Sequence, residues 1–216
     1  MVDVLLATLL LVQMGYQLLP EDLHAILGAT MVLTAGAHLA LNAGWIRALG
    51  RGRWGAARAL MTVTAGASLL LMPSLALSGL VLSGLVPALR SLDPIARQAH
   101  LSSSYLALLV LPLHAGLHAA GTLRPKAKGG GTGTLRRLGL VVWVIASLVG
   151  AYELAALHVW DYVTLNTPFV LPAEAPLPVY LLEHATVMAL CALLGALLMR
   201  AVTYVARSVH EHRDAH

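Results

Sequence analysis

Residues 23–46, LHAILGATMVLTAGAHLALNAGWI, and residues 100–121, HLSSSYLALLVLPLHAGLHAAG, carry histidines at one common interval. His24 and His38 are 14 positions apart, and so are His100 and His114. Fourteen residues of α-helix rise about 21 Å and make nearly four turns, so each pair stays on one helix face. Both stretches are otherwise almost wholly apolar and long enough to cross a bilayer.

The rest of the chain agrees with a membrane setting. Of its 216 residues 58% are hydrophobic and only 11% are charged, whereas a soluble domain of this length needs a more polar surface. A bundle in lipid is apolar on its outside too. Ala, Leu and Val dominate and Phe occurs once, which suits helices rather than a barrel with aromatic girdles. The lone cysteine, Cys191, excludes an internal disulfide, and the absence of C-x-x-C-H excludes covalent haem attachment. The net charge of +4 is not a nucleic-acid signature, because the basic residues sit in short loops between apolar runs.

Six segments are predicted to span: residues 2–19, 23–46, 57–82, 100–121, 138–160 and 179–204. The first lacks the basic start of a signal peptide and has Asp3 there instead. Pro73 is expected to kink the third. Arg47, Arg51, Arg53 and Arg58 follow the second span. Arg124, Lys126, Lys128, Arg136 and Arg137 follow the fourth, and Arg200, Arg207 and Arg213 end the chain. These are 12 of the 14 basic residues, so the positive-inside rule puts both termini in the cytoplasm. The opposite side holds Arg90 and Arg97 beside Glu21, Asp22, Asp93, Asp161 and Glu174. The expected fold is therefore an all-α polytopic membrane bundle of six transmembrane helices. It divides into a four-helix front (1–123), a flexible cytoplasmic linker (124–136, containing KGGGTGT) and a two-helix back with a cytoplasmic tail (137–216). The proline-rich loop 161–178 reads as a partly extended outer cap.

A histidine at hydrocarbon depth is costly and marks a functional site by default. The second and fourth spans run the same way, so His24 pairs with His100 near the outer surface and His38 with His114 nearer the cytoplasm. Two histidine pairs, one above the other, are the arrangement for two stacked, non-covalent b-type haems, each iron held by two imidazoles. Gly28, Ala35, Ser103 and Ala107 lie on the same faces and let a flat macrocycle approach the backbone; small residues also serve ordinary helix packing. His118, one turn beyond His114, is an alternative ligand or a propionate partner. Arg90 and Arg97 are candidates for the propionates of the outer haem, and Arg47, Arg51 and Arg124 for the inner. Asn42 reads as a donor supporting His38 or as an interfacial cap. The even-numbered spans each open on a histidine, His24, His100 and His184, but the sixth has Leu198 where its second would stand.

The run His24-Ala-Ile-Leu-Gly28, then His38-Leu-Ala-Leu-Asn42-Ala-Gly-Trp45, resembles the flavinylation-associated di-haem cytochrome b family, with its H-x-x-x-G … H-x-x-x-N-x-x-W-type signature. The segment from His100 to His114-Ala-Gly-Leu-His118 is similar to that family's second ligand helix. The likeness covers residues 1–121. The wider group includes the membrane cytochrome b subunits of formate dehydrogenases and hydrogenases. The resemblance implies electron transfer across a bacterial inner membrane, between the quinone pool and a partner redox protein bearing flavin or iron–sulfur. By position, it implies His24, His38, His100 and His114 as haem ligands.

Glu153, His158, Glu183 and His184, with Asp161, fall toward the outer ends of the last two spans. They form a candidate quinone site, with a carboxylate or histidine taking the protons of a quinol; a metal or further haem on His158 and His184 is the other reading, and interfacial polar residues the plain one. No dinucleotide fingerprint is present, and no residue is assigned as catalytic. The competing function is a histidine-lined transporter or metal permease without haem, which predicts acidic residues and broken helices at mid-membrane.

Overall fold

Lipid cannot satisfy backbone N–H and C=O groups, so apolar segments that enter it must bond internally. In the computed structural model, which describes residues 2–52, 54–120 and 132–214, they do so as helices, and the described residues contain no strand. The helices are α1 (Val2–Met14), α2 (Glu21–Leu41), α3 (Ala43–Ala48), α4 (Ala56–Leu82), α5 (Asp93–His118), α6 (Thr132–Ala156), α7 (Val159–Val163) and α8 (Leu177–Asp214). Short 3-10 turns occupy Tyr16–Leu18 and Pro87–Leu92. Five of the helices, α2, α4, α5, α6 and α8, are long and apolar enough to cross a membrane. Leu33, Leu70 and Leu148 point outward from α2, α4 and α6, as they should in a multi-pass membrane protein whose solvent is lipid.

The boundaries differ from expectation in ways the local chemistry explains. The first segment is a 13-residue helix, about 20 Å long, that gives way to a turn at Gly15. A Cβ on Gly15 would lie 2.9 Å from Leu177 Cδ1, so the break is seated tightly on the start of α8. The second ends at Leu41, where Asn42 closes it by donating from its side-chain amide to the His38 carbonyl at 2.8 Å; Trp45 and Ile46 then belong to the short α3. The fourth begins seven residues early, at Asp93 with a proline in its first turn, so Arg97 and His100 are both on the helix. The fifth begins at Thr132. Residues 132–136 are thus helical rather than linker, and 124–131 lie outside the described residues, as does Arg53. Of the outer loop, residues 161–163 end α7 and 177–178 begin α8, and 164–176 are not helical. Its remainder is pinned as a cap: Gln17 donates to the Leu171 carbonyl at 2.6 Å and accepts from the Ala173 N–H at 3.1 Å, while the Leu171 N–H donates to the Tyr162 hydroxyl at 2.9 Å.

α5 is the central helix, packed against α4 on one side and α8 on the other, and α8 also packs against α6. The expected back hairpin is therefore not set apart from the front. Close approach is permitted by glycine: a Cβ on Gly116 of α5 would sit 2.0 Å from the Ala192 carbonyl oxygen, and one on Gly150 of α6 would sit 2.1 Å from that of Thr186. By contrast, α2 rests on α1 and α4 and buries only Met31.

Candidate functional site

α4 and α5 are neighbours joined by a short connection, so they run antiparallel. Ser78 of α4 meets His100 of α5, and Thr64 of α4 meets His114. The hydroxyl-to-Nδ1 distance is 2.9 Å in both cases. Thr64 and Ser78 are themselves 14 residues apart. The interval that relates the two histidines of α5 is repeated, in the opposite direction, by two hydroxyls on α4.

These contacts set the tautomer. A hydroxyl has one proton to give. The Ser78 hydroxyl donates to the Ser74 carbonyl at 2.6 Å, and the Thr64 hydroxyl donates to the Leu60 carbonyl at 3.1 Å, the ordinary back-bonding of helical Ser and Thr. With the hydroxyl proton on that carbonyl, each oxygen accepts and the imidazole donates through Nδ1–H. A neutral imidazole protonated at Nδ1 carries its lone pair on Nε2. His100 and His114 are thereby held as Nε2 ligands. His38 is held likewise, with Nδ1 2.9 Å from Asp3 Oδ1, an atom that can only accept when ionised. Sequence reasoning missed Thr64, Ser78 and Asp3 as parts of the site. The 14-residue interval in the third span was the signal for the first two.

The outer pair faces itself directly. The rings of His24 and His100 have centroids 6.1 Å apart and planes at 72°. Two metal–imidazole bonds of about 2 Å, plus about 1 Å from each nitrogen to its ring centre, give roughly 6 Å. The donor set therefore fits an iron held between two imidazoles. Tyr16 meets the His24 ring edge-on at 4.9 Å, and the His24 Nδ1 is buried without a hydrogen-bond partner. At the inner level, His38, His118 and Asp3 are all close enough to His114 to act on its charge. His118 meets His114 edge-on at 5.0 Å but is exposed, and it lacks the hydroxyl tether that His114 has. Between them, Asp3 at the inner level and Tyr16 at the outer show that α1 and its 3-10 turn span the full distance between the two histidine layers.

Other expected residues take different places. Gly28 lies against α1, where a Cβ would come within 2.8 Å of Gln13 Nε2. Arg97 is exposed one turn before His100, and Arg90, Arg47 and Arg51 are exposed as well. Arg124 lies outside the described residues. Asn42 caps its own helix and does not reach the His38 ring.

The four residues expected at the outer back do not come together. His184 is fully buried on α8; its Nδ1 donates to the Tyr180 carbonyl at 2.8 Å, its ring lies against Tyr180 and Tyr105, and its Nε2 has no partner. Glu183, the preceding residue, is turned about 100° away and lies near Glu153 of α6. His158 is exposed, left-handed at φ 52°, and paired with Asp161 at 3.0 Å. Among the described residues no three of His, Cys, Asp or Glu are grouped as a metal site. Compared with known proteins, the chain matches no family model, no curated sequence and no solved structure.

Proposed function

We propose that this chain is a di-haem b-type cytochrome of the bacterial inner membrane that moves electrons across the bilayer between the quinone pool and a partner redox protein carrying flavin or iron–sulfur. The observation that carries the reading is the doubled interval: two histidines on α5 and two hydroxyls on α4, each 14 residues apart, in contact pair by pair. Each haem, when bound, would supply a one-electron carrier. His24 and His100 would hold the outer one, and His38 and His114 the inner. Ser78, Thr64 and Asp3 keep three of these four imidazoles oriented with the lone pair on Nε2, which removes the need to reorganise the ligand on binding.

The topology in this reading is six crossings with both termini cytoplasmic. α1 is short, but with its 3-10 turn it reaches from the inner histidine layer to the outer. The neighbouring carboxylates Glu153 and Glu183, half-buried between α6 and α8, are the pair best placed to take protons from a quinol. A metal permease fits less well, because His24 and His100 stand as a pair and, among the described residues, no three of His, Cys, Asp or Glu form the larger cluster that a bare cation needs. The test is optical. Protein purified from haem-replete cells is expected to be red, with a visible α band that sharpens on adding dithionite. A colourless protein would overturn the reading.

A further inference from the structure

The two histidine layers are alike on α5 and unlike on α2. On α5, both imidazoles give their Nδ1–H to a neutral hydroxyl at 2.9 Å. On α2, His38 is bonded to the carboxylate of Asp3 at 2.9 Å, whereas His24 has no hydrogen-bond partner at Nδ1 and meets the rings of Tyr16 and His100 edge-on. Among the described residues neither His24 nor His100 is paired with a carboxylate.

A carboxylate that accepts the Nδ1–H of a metal-bound imidazole draws the proton toward itself and makes the ring a stronger electron donor. A stronger donor, with a negative charge one ring away, favours the iron state of higher positive charge. The oxidised form gains more than the reduced form, and the reduction potential falls. The inner-loop arginines act in the opposite sense, but Arg47 and Arg51 are exposed, where salt screens a charge over about 8 Å. Asp3 is exposed too, at 73% of its side-chain surface, but it is bonded to the ring itself at 2.9 Å, so its effect passes through that hydrogen bond and not through solvent. At the outer end the charges near the ligands are exposed and of both signs, Arg97 one turn before His100 and Glu21 and Asp22 within one turn of His24, and among the described residues no carboxylate is paired with either ring.

We infer that Asp3 makes the His38/His114 site the lower-potential of the two, so that an electron shared between the layers rests at His24/His100. This rests on the di-haem reading above and adds an order of potentials to it: with both groups bound, the Asp3 end would be the stronger reductant and the Tyr16 end the acceptor. Asp3 is a positioning and tuning residue that acts through His38.

The experiment is a potentiometric titration of the purified full-length holoprotein, followed at the α band, after its haem content has been measured. The wild type is expected to reduce in two one-electron steps. Asp3→Asn keeps the hydrogen-bonding shape and removes the charge; it should shift the lower step to higher potential and leave the upper one in place. Asp3→Glu should hold the lower step near its original position. His38→Ala should abolish the step that Asp3→Asn moves. If Asp3→Asn shifts neither step, or shifts the one that survives in His38→Ala, the inference is wrong while the di-haem reading stands. A wild-type protein without haem overturns both.

Discussion

The outer and inner histidine layers are built from the same helices and differ in how tightly the α2 histidine is held. In the outer layer His100 is tethered to Ser78, while His24 has no hydrogen bond at Nδ1 and meets the rings of Tyr16 and His100 edge-on. In the inner layer both partners are tethered, His114 to Thr64 and His38 to Asp3. The comparison separates two tasks. α4 and α5, packed closely, supply a matched pair of oriented ligands, and α2, loosely packed, supplies partners whose surroundings set each site apart.

The largest effect should come from breaking what the layers share. Gly116→Leu would drive a side chain into the Ala192 backbone and push α5 off α8. Overpacking of this kind typically costs about 1–3 kcal/mol, and contact with backbone puts this one at the upper end. Thermal unfolding in detergent should come earlier, and both haems should be lost in parallel. Next, His100→Ala and His38→Ala should each remove one haem and leave the other, as measured by haem per chain. Loss of both, or of neither, would break the pairing of layers. Ser78→Ala and Thr64→Val should each weaken retention of one haem by about 10-fold, read as the rate of transfer to a haem-scavenging protein, with Ser78 acting on the outer site alone and Thr64 on the inner. The smallest effect is expected at His118. Exposed and without a hydroxyl tether, it should be replaceable by Ala with both haems retained; loss of the inner one would exchange its role with that of His114.

How far the sequence could be read is clear from particular residues. The histidine intervals survive because a helix converts sequence spacing into height and face directly. Thr64 and Ser78 have the same interval and were equally available, but Ser and Thr are common in membrane helices and usually bond to their own backbone, as these also do. What distinguishes them is the antiparallel register of α4 on α5, a tertiary fact. Asp3 served in the sequence only to argue against a signal peptide; its contact with His38, 35 positions away, depends on how α1 lies along α2. The back cluster divides for a different reason. Glu183 and His184 are adjacent in sequence, yet adjacent helical residues point about 100° apart, and one faces α6 while the other is buried against Tyr105. The break at Gly15 is invisible in an apolar run, because it comes from packing against Leu177.

The central claim is that two facing imidazole pairs hold two irons at separate depths. Haem quantification on the purified wild-type chain, combined with low-temperature electron paramagnetic resonance of the oxidised protein, tests it most directly. The account predicts two haems per chain, both low-spin as two imidazole ligands require. A chain that carries no haem, or whose haem is high-spin with one histidine free, would contradict it.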